Sequence, residues 1–316
     1  MIRPSRRWTS LSAPAAATLV FAALAARATP AAAQACCAGG ALVNPVRLSP
    51  PEDYAVGVQT RVRSDVGSFG ADGTYVSSAT FSEQDVEQDL AASFRVARRA
   101  QVGLVLPYVE THRSEPGVDE WGSGLGDIAL NARYDFKLAA EMTYWPGFAL
   151  LGGVVFPTGK AVGDGTNATA TDATGTGTFN ASLGISLEKV HGPLYGALNV
   201  WGTYSGASST PSAAGTITTS YPLQLTALAV AGYVFESEAA AALYINFLER
   251  GDTTVNGTTQ SGSELRLTTV GATGMLPVAE SWRLSASLYA DVLASSFGRN
   301  EQGGVGGTIS LVRAWR

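Results

Sequence analysis

The sequence predicts an all-β protein, an antiparallel, up-and-down transmembrane β-barrel of about twelve strands with long extracellular loops and short periplasmic turns. Three observations predict this fold. From residue 54 onward, segments of about ten residues carry an apolar side chain at every second position. The connections between these segments are alternately long and short. Aromatic residues gather near the segment ends that meet the short connections, as they do at a membrane interface.

The segment 126–136 shows the alternation most clearly. Ile128 and Leu130 share one parity with further apolar residues, whereas Asn131 and Arg133 occupy the other. Because successive side chains of a strand point to opposite faces, one face suits lipid and the other suits water. The same analysis predicts strands at 54–66, 84–97, 101–112, 124–137, 146–157, 176–189, 193–205, 220–235, 239–250, 263–276, 281–294 and 304–315.

The connections predict the orientation of the barrel. Strict alternation places all the long connections on one side of the membrane and both chain termini on the other. The segment 163–178, in the longest connection, is either an inward-folded constriction or a mobile surface loop. Nine aromatic residues near the short turns predict a periplasmic girdle in contact with lipid headgroups: Tyr54, Tyr134, Phe136, Tyr144, Trp145, Tyr233, Phe235, Trp282 and Trp315.

The chain start predicts export. Arg3, Arg6 and Arg7 precede an apolar run and then small residues ending at Ala35, which is the pattern of a cleaved secretory signal peptide. We therefore predict a signal peptide at 1–35, an N-terminal periplasmic segment at 36–53 and the barrel at 54–316, located in the bacterial outer membrane. Lipid and the barrel-insertion machinery are its expected partners, because the end of the chain resembles a final barrel strand.

Cys36 and Cys37 directly follow the predicted cleavage point. Lipid attachment, a vicinal disulfide in the oxidising periplasm, a soft-metal site such as one for Cu(I), and no role at all remain open. A metal at these residues is therefore unknown, and no cofactor is predicted.

Polar residues at inward positions are the candidates for lining the lumen. They either form a polar passage that selects solutes or pair across strands and fill a narrow interior. The candidates are Arg61, Arg63, Glu87, Asp89, Arg95, Asp127, Asn131, Arg133, Asp135, Glu188, Arg250, Glu264, Arg266 and Asp291.

Several classes of function are disfavoured. The net charge of −5 argues against nucleic acid as a partner. Beyond the signal, no apolar run reaches the length of a membrane-spanning helix. His112 and His191 are predicted at opposite ends of the barrel, so they cannot share a catalytic site. We expect that the protein is not an enzyme.

Three glycine-rich stretches carry a family resemblance: Ser123–Ile128 followed by Ala132–Tyr134, then Phe156–Lys160, then Gly175–Phe179. They resemble the MetA-pathway phenol-degradation family of outer-membrane transporter-like barrels. The resemblance implies passage of aromatic or other small, poorly soluble compounds. The predicted function is passive passage of small aromatic or hydrophobic solutes through an outer-membrane channel. The alternative is a structural or surface-interaction barrel with an occluded lumen.

Overall fold

The computed structural model of the protein describes residues 46–78, 81–212 and 215–316. In these ranges the chain forms a closed barrel of antiparallel strands. The barrel strands, in chain order, are β1 (Tyr54–Phe69), β2 (Ser82–Ala97), β3 (Ala100–Glu115), β4 (Ile128–Lys137), β5 (Gly147–Phe156), β6 (Asn180–His191), β7 (Leu194–Ser205), β8 (Gln224–Val234), β9 (Ala240–Arg250), β10 (Leu265–Ala279), β11 (Trp282–Asp291) and β12 (Glu301–Trp315).

Each strand pairs with the next along the chain, and β12 returns to β1. The closing register runs from Tyr54 opposite Trp315 to Phe69 opposite Glu301. Closure leaves no open sheet edge, which is the condition for a sheet to cross lipid. The twelve predicted strands and the alternation of short and long connections are confirmed. We call the two ends of the barrel the short-turn end, which holds Tyr54 and Trp315, and the long-loop end.

Shorter strands lie at the long-loop end. Val118–Leu125 forms a hairpin with the upper half of β3, and two short strands join the wall at Tyr75–Ser77 and Gly298–Arg299. A separate four-stranded sheet comprises Ser208–Ser212, Gly215–Ser220, Thr254–Val255 and Thr258–Thr259. A short 3-10 helix, Val162–Asp164, also lies in a long connection, whereas a second one, Ala139–Glu141, lies between β4 and β5 at the short-turn end.

Three predicted boundaries are wrong. The predicted strand 124–137 is interrupted at Gly126, whose N–H donates to the Pro107 carbonyl at 2.9 Å. The predicted strand 176–189 begins at Asn180, because the Thr176 amide and hydroxyl bind the Asp127 carboxylate instead of a ladder partner. The predicted strand 220–235 begins at Gln224, because Gly215–Ser220 belongs to the separate sheet. Polar loop contacts therefore decide where the long-loop ends of these strands begin.

The outward face of the wall is apolar. Leu183, Leu243 and Leu288 are 65%, 68% and 73% exposed, respectively. Their strand neighbours at the opposite parity point into the barrel, where Ser186 and Ala242 are buried. Such an outer surface is stable in lipid rather than in water. Among the residues described, no helix is long and apolar enough to cross a bilayer.

Aromatic side chains of the predicted girdle meet at the short-turn end. The Tyr54 and Trp315 rings stack with centroids 5.2 Å apart, and Tyr233 packs edge-on against Phe235. The Arg313 guanidinium lies 4.8 Å from the Trp315 ring centroid. These rings present an apolar body together with polar atoms, as the interface between hydrocarbon and headgroups requires.

Candidate solute path and its restriction

Residues 46–53, which we call the inner segment, enter the barrel at the short-turn end before β1 begins. Leu48 and Ser49 are only 5% and 8% exposed, and Leu48 packs with Ala55 and Val312 on the barrel wall. The Leu48 N–H donates to Gln101 Oε1 at 3.2 Å. The part of the predicted periplasmic segment that the structure describes thus lies inside the barrel mouth; Cys36 and Cys37, with the predicted signal peptide, lie outside the described residues.

Arg47 anchors the inner segment to the far wall. Its guanidinium donates to both carboxylate oxygens of Glu188 on β6, at 2.6 and 2.9 Å. Arg133 on β4 adds a 3.0 Å contact to the same carboxylate and a 2.7 Å contact to Asp135. Ser186 Oγ donates to Glu188 at 3.1 Å. Since the Glu188 side chain is 4% exposed, removing its charge would leave the Arg47 guanidinium buried without its ion-pair partner.

The near wall holds the inner segment by two further arginines. Arg95 on β2 donates to the backbone carbonyls of Glu52 and Ser49 at 2.7 and 2.6 Å. Arg283 on β11 contacts the Glu52 carboxylate at 3.2 Å. Side chains from β2, β3, β6 and β11 therefore bind the inner segment from opposite sides.

A cluster of apolar side chains lies beside the inner segment at the short-turn end. Tyr195, Val230, Val234 and Met275 are at least 93% buried and pack together on inward positions of β7, β8 and β10. Apolar packing of this kind excludes water without any hydrogen bonds. The cluster and the inner segment thus narrow the lumen from two sides.

Two cavities lie beyond this restriction. A cavity of about 390 Å³, which we call the inner cavity, adjoins Val46 and Arg47 and is walled by β2 to β8. A second cavity of about 480 Å³ lies towards the long-loop end between Arg63, Glu83 and Glu301. The larger one is polar, whereas the inner cavity combines apolar side chains with a few amides.

The lumen wall is electrostatically asymmetric. On β1 and β2, Arg61 pairs with Glu87 at 2.5 Å, and Arg63 pairs with Asp65 at 2.8 Å and with Asp291 at 3.0 Å. The opposite wall differs, because the inward positions of β7 and β8 carry no charged side chain along these two described strands. A solute in the lumen therefore meets ions on one side and amides, hydroxyls and apolar groups on the other.

Most predicted lumen residues come together in these groups. Arg133, Asp135 and Glu188 meet at the inner segment, which Arg95 also binds. Asn131 lines the inner cavity, and Arg250 lies on an inward position with its guanidinium 5.1 Å from the Tyr221 ring centroid. The remaining charged wall contains the predicted residues Arg61, Arg63, Glu87, Asp89 and Asp291.

Three predicted residues lie elsewhere. The Asp127 carboxylate accepts N–H bonds from Gly159 at 2.9 Å and Thr176 at 2.7 Å, so it organises a loop rather than the lumen. Arg266 lies opposite Glu249 and pairs with it at 2.6 Å, on the parity that faces outward in β9 and β10. Glu264 has the same parity as Arg266 and pairs with Arg299. These placements correct the lumen assignment, because loops and outer-face pairs satisfy these charges.

Several residues of the lumen and of the inner segment were not among the residues predicted from the sequence. Glu83 and Asp85 share the parity of Glu87 and Asp89. Asp85 lies inside the predicted strand 84–97 and Glu83 directly before it, so following the same parity to one residue before the predicted start would have found both. Arg47 had no such signal, since a short segment outside the repeating pattern does not reveal which wall it touches. Asn199 was overlooked because one amide on an apolar strand carries no pattern.

The long loop, defined as residues 157–179, folds against the β3 hairpin. Glu120 accepts hydrogen bonds from the Thr169 amide at 2.8 Å and its hydroxyl at 2.6 Å, and these bonds lower the Glu120 pKa. Arg113, at the lumen mouth, donates to the Thr169 carbonyl. Lys160 and the Thr166 hydroxyl and amide hold the pKa of the Asp172 carboxyl well below its usual range. The loop is thus tied to the mouth by hydrogen bonds.

Comparisons with known proteins identify the fold. No protein-family model and no curated protein matches the chain. The solved structure of the COG4313 outer membrane channel from Pseudomonas putida F1 is similar with a TM-score of 0.71 at 16% identity, covering 86% of this chain and 98% of that chain. Two other solved structures have TM-scores below 0.5. The translocator domain of autotransporter NalP from Neisseria meningitidis has a TM-score of 0.46 at 12% identity, covering 94% of this chain and 97% of that chain. The NanC porin has a TM-score of 0.47 at 7% identity, covering 83% of this chain and 99% of that chain. The chain shares the barrel fold of the first of these proteins, while its resemblance to the phenol-degradation family stays a prediction.

Proposed function

We propose that the protein is a passive outer-membrane channel for small solutes, and that these solutes are aromatic or hydrophobic molecules. The observation that carries the proposal is a closed barrel whose interior keeps two cavities, of about 480 and 390 Å³, between the long-loop mouth and the inner segment. The shared fold with an outer membrane channel supports it. The proposal assigns the protein no catalytic step.

The apolar outer face and the aromatic side chains at the short-turn end support a location in the outer membrane. We propose that the chain is exported with a cleaved signal peptide and inserted by the barrel-insertion machinery. In this location, lipid would cover the outer face, and the long loop would face the outside of the cell.

The inner segment is the proposed restriction of the path. It is held by side-chain contacts from Arg47, Arg95 and Arg283, and Asp53 at its end donates to the Trp315 carbonyl at 2.8 Å. Side-chain contacts can break without unfolding the wall. Passage past the segment then requires its displacement but not the opening of the barrel.

A structural barrel with an occluded lumen remains the second candidate. The observation that favours it is the narrowing of the short-turn end by both the inner segment and the apolar cluster around Tyr195 and Met275. In this case the long-loop end would bind a partner outside the cell, and the interior would serve only stability.

Single-channel conductance in a planar bilayer separates the two candidates. The chain from residue 36 is compared with Arg47→Ala, which releases the inner segment, and with Arg266→Ala, a matched loss of an arginine paired on the outer face. We expect conductance steps that rise at least twofold in Arg47→Ala, stay unchanged in Arg266→Ala, and fall when a small aromatic solute is added. Reproducible insertion without steps in all three proteins would support the occluded barrel.

A further inference from the structure

We propose that the inner cavity is a binding site for a small uncharged molecule that carries an apolar ring and a hydroxyl group. The inference rests on the proposed function, because the ligand would reach the cavity from the long-loop mouth. Four features of the cavity carry it: its volume, its unpaired amide, its tryptophan and its balance of charge.

The volume comes from glycines at inward positions. A Cβ atom added at Gly153 would first meet Asn131 Oδ1 at 3.2 Å, and one added at Gly103 would first meet Ser93 Oγ at 3.2 Å, so larger side chains there would grow into the cavity. An enclosed space of about 150 Å³ already accommodates benzene. The inner cavity of about 390 Å³ therefore has room for one substituted ring.

The amide of Asn199 indicates the polar group of the ligand. Asn199 lines the inner cavity from β7 and is 4% exposed, and its Oδ1 has no hydrogen-bond partner among the described residues. Buried polar atoms in folded proteins nearly always have a partner. Because the terminal torsion of asparagine is broad, a turn of the amide presents either its acceptor or its donor to the cavity. A hydroxyl group can satisfy both.

Trp201 and Leu228 supply an apolar surface beside this amide. Both residues line the inner cavity, and Trp201 lies directly opposite Gly184 on β6. A Cβ atom at Gly184 would overlap the Trp201 Cβ atom, so a side chain at position 184 would displace Trp201 from its present place. An aromatic ring stacks favourably on an indole, at offset or edge-to-face geometry.

The balance of charge selects an uncharged ligand. Arg47 and Arg133 border the cavity, but Glu188 and Asp135 already pair with them. Hence no free charge remains at this place to offset the desolvation of an ionised ligand. Ions are instead accommodated by the charged wall on β1 and β2.

Isothermal titration of the detergent-solubilised chain from residue 36 tests the site, with benzyl alcohol, toluene and benzoate as probes. We expect benzyl alcohol to bind about fivefold more tightly than toluene, the ratio that one net hydrogen bond provides, and benzoate not to bind. Gly153→Leu should abolish binding by filling the cavity. Gly152→Leu is the matched control: the Gly152 backbone borders the cavity, but its side chain would lie on the outward parity of β5, where a Cβ atom meets nothing within 4 Å. Asn199→Leu should keep toluene binding and lose the preference for the alcohol.

Equal binding of benzyl alcohol by Gly153→Leu and Gly152→Leu would overturn the proposal, as would an unchanged alcohol preference in Asn199→Leu. Folding of each variant is checked by thermal unfolding, and Gly103→Val fills the cavity from β3 if Gly153→Leu does not fold. Conductance without binding would refute the binding site but would still support the channel function. Binding without conductance would support the site and refute the channel.

Discussion

Replacing Glu188 with glutamine should release the inner segment from the barrel wall. The carboxylate accepts two bonds from Arg47, at 2.6 and 2.9 Å, and contacts Arg133 at 3.0 Å. A glutamine has one acceptor oxygen and no charge, so both arginines would lose their shared counterion. Breaking one partner of a buried ion pair costs about 3–5 kcal/mol. At the lower limit, the docked state of the segment weakens about 150-fold.

Amide hydrogen exchange measures this change at Leu48, whose N–H is bound to Gln101 Oε1 inside the barrel. We expect Leu48 protection to fall by about two orders of magnitude in Glu188→Gln, while amides in the centre of β7 keep theirs. Glu249→Gln is the control, because its partner Arg266 lies on the outer face. Unchanged protection of Leu48 in a folded Glu188→Gln protein would refute the role assigned to this ion pair.

Three further predictions concern the long-loop end. The pKa of Asp172 in the folded protein is depressed. Its ionised carboxylate therefore stabilises the long loop above the pKa of the unfolded chain, and this stabilisation is lost as pH falls through the folded-state pKa. Protease sensitivity of the long loop should rise in strong acid, and in Asp172→Asn it should be raised already at neutral pH. Gly122→Ala should loosen the same loop, because its Cβ atom would overlap the loop backbone, whereas Gly152→Ala should leave the loop unchanged. Amide hydrogen exchange of the loop should be faster in Gly122→Ala, and rates equal to those of the parent in both variants would contradict this prediction. Neutralising Glu83 and Asp85 at the mouth should lower the cation-to-anion permeability ratio about twofold or more. The reversal potential across a salt gradient measures this ratio, and an unchanged reversal potential would show that these two carboxylates do not select ions.

The wall of the barrel was predictable because its signal is local. Alternation along β4, β6, β9 and β11 reports which face meets lipid, and this requirement acts on every residue of a strand. Boundaries at the long-loop end were less predictable. Thr176 and Gly126 leave the ladder for contacts with residues distant in sequence, which alternation cannot report.

The residues of the lumen were likewise predictable only in part. Parity placed Arg63, Glu87 and Asp291 on inward positions as lumen candidates, but it did not identify the charges that a loop or an outer pair uses. Asp127 lies outside the strand and binds Thr176 of the long loop, and Arg266 lies on the outward parity of β10, where it pairs with Glu249.

Repeating hydrophobicity, the sorting of loop lengths and the placement of aromatic residues were enough to specify a twelve-stranded barrel, because each is a pattern that a short stretch of chain carries by itself. Which groups meet inside was decided by the closed barrel alone. Arg47 and Glu188 are 141 residues apart in sequence, and Asn199 faces a cavity whose opposite wall contains Gly103. Only the register and closure of the strands bring such distant residues together, so the restriction and the cavity are properties of the tertiary structure.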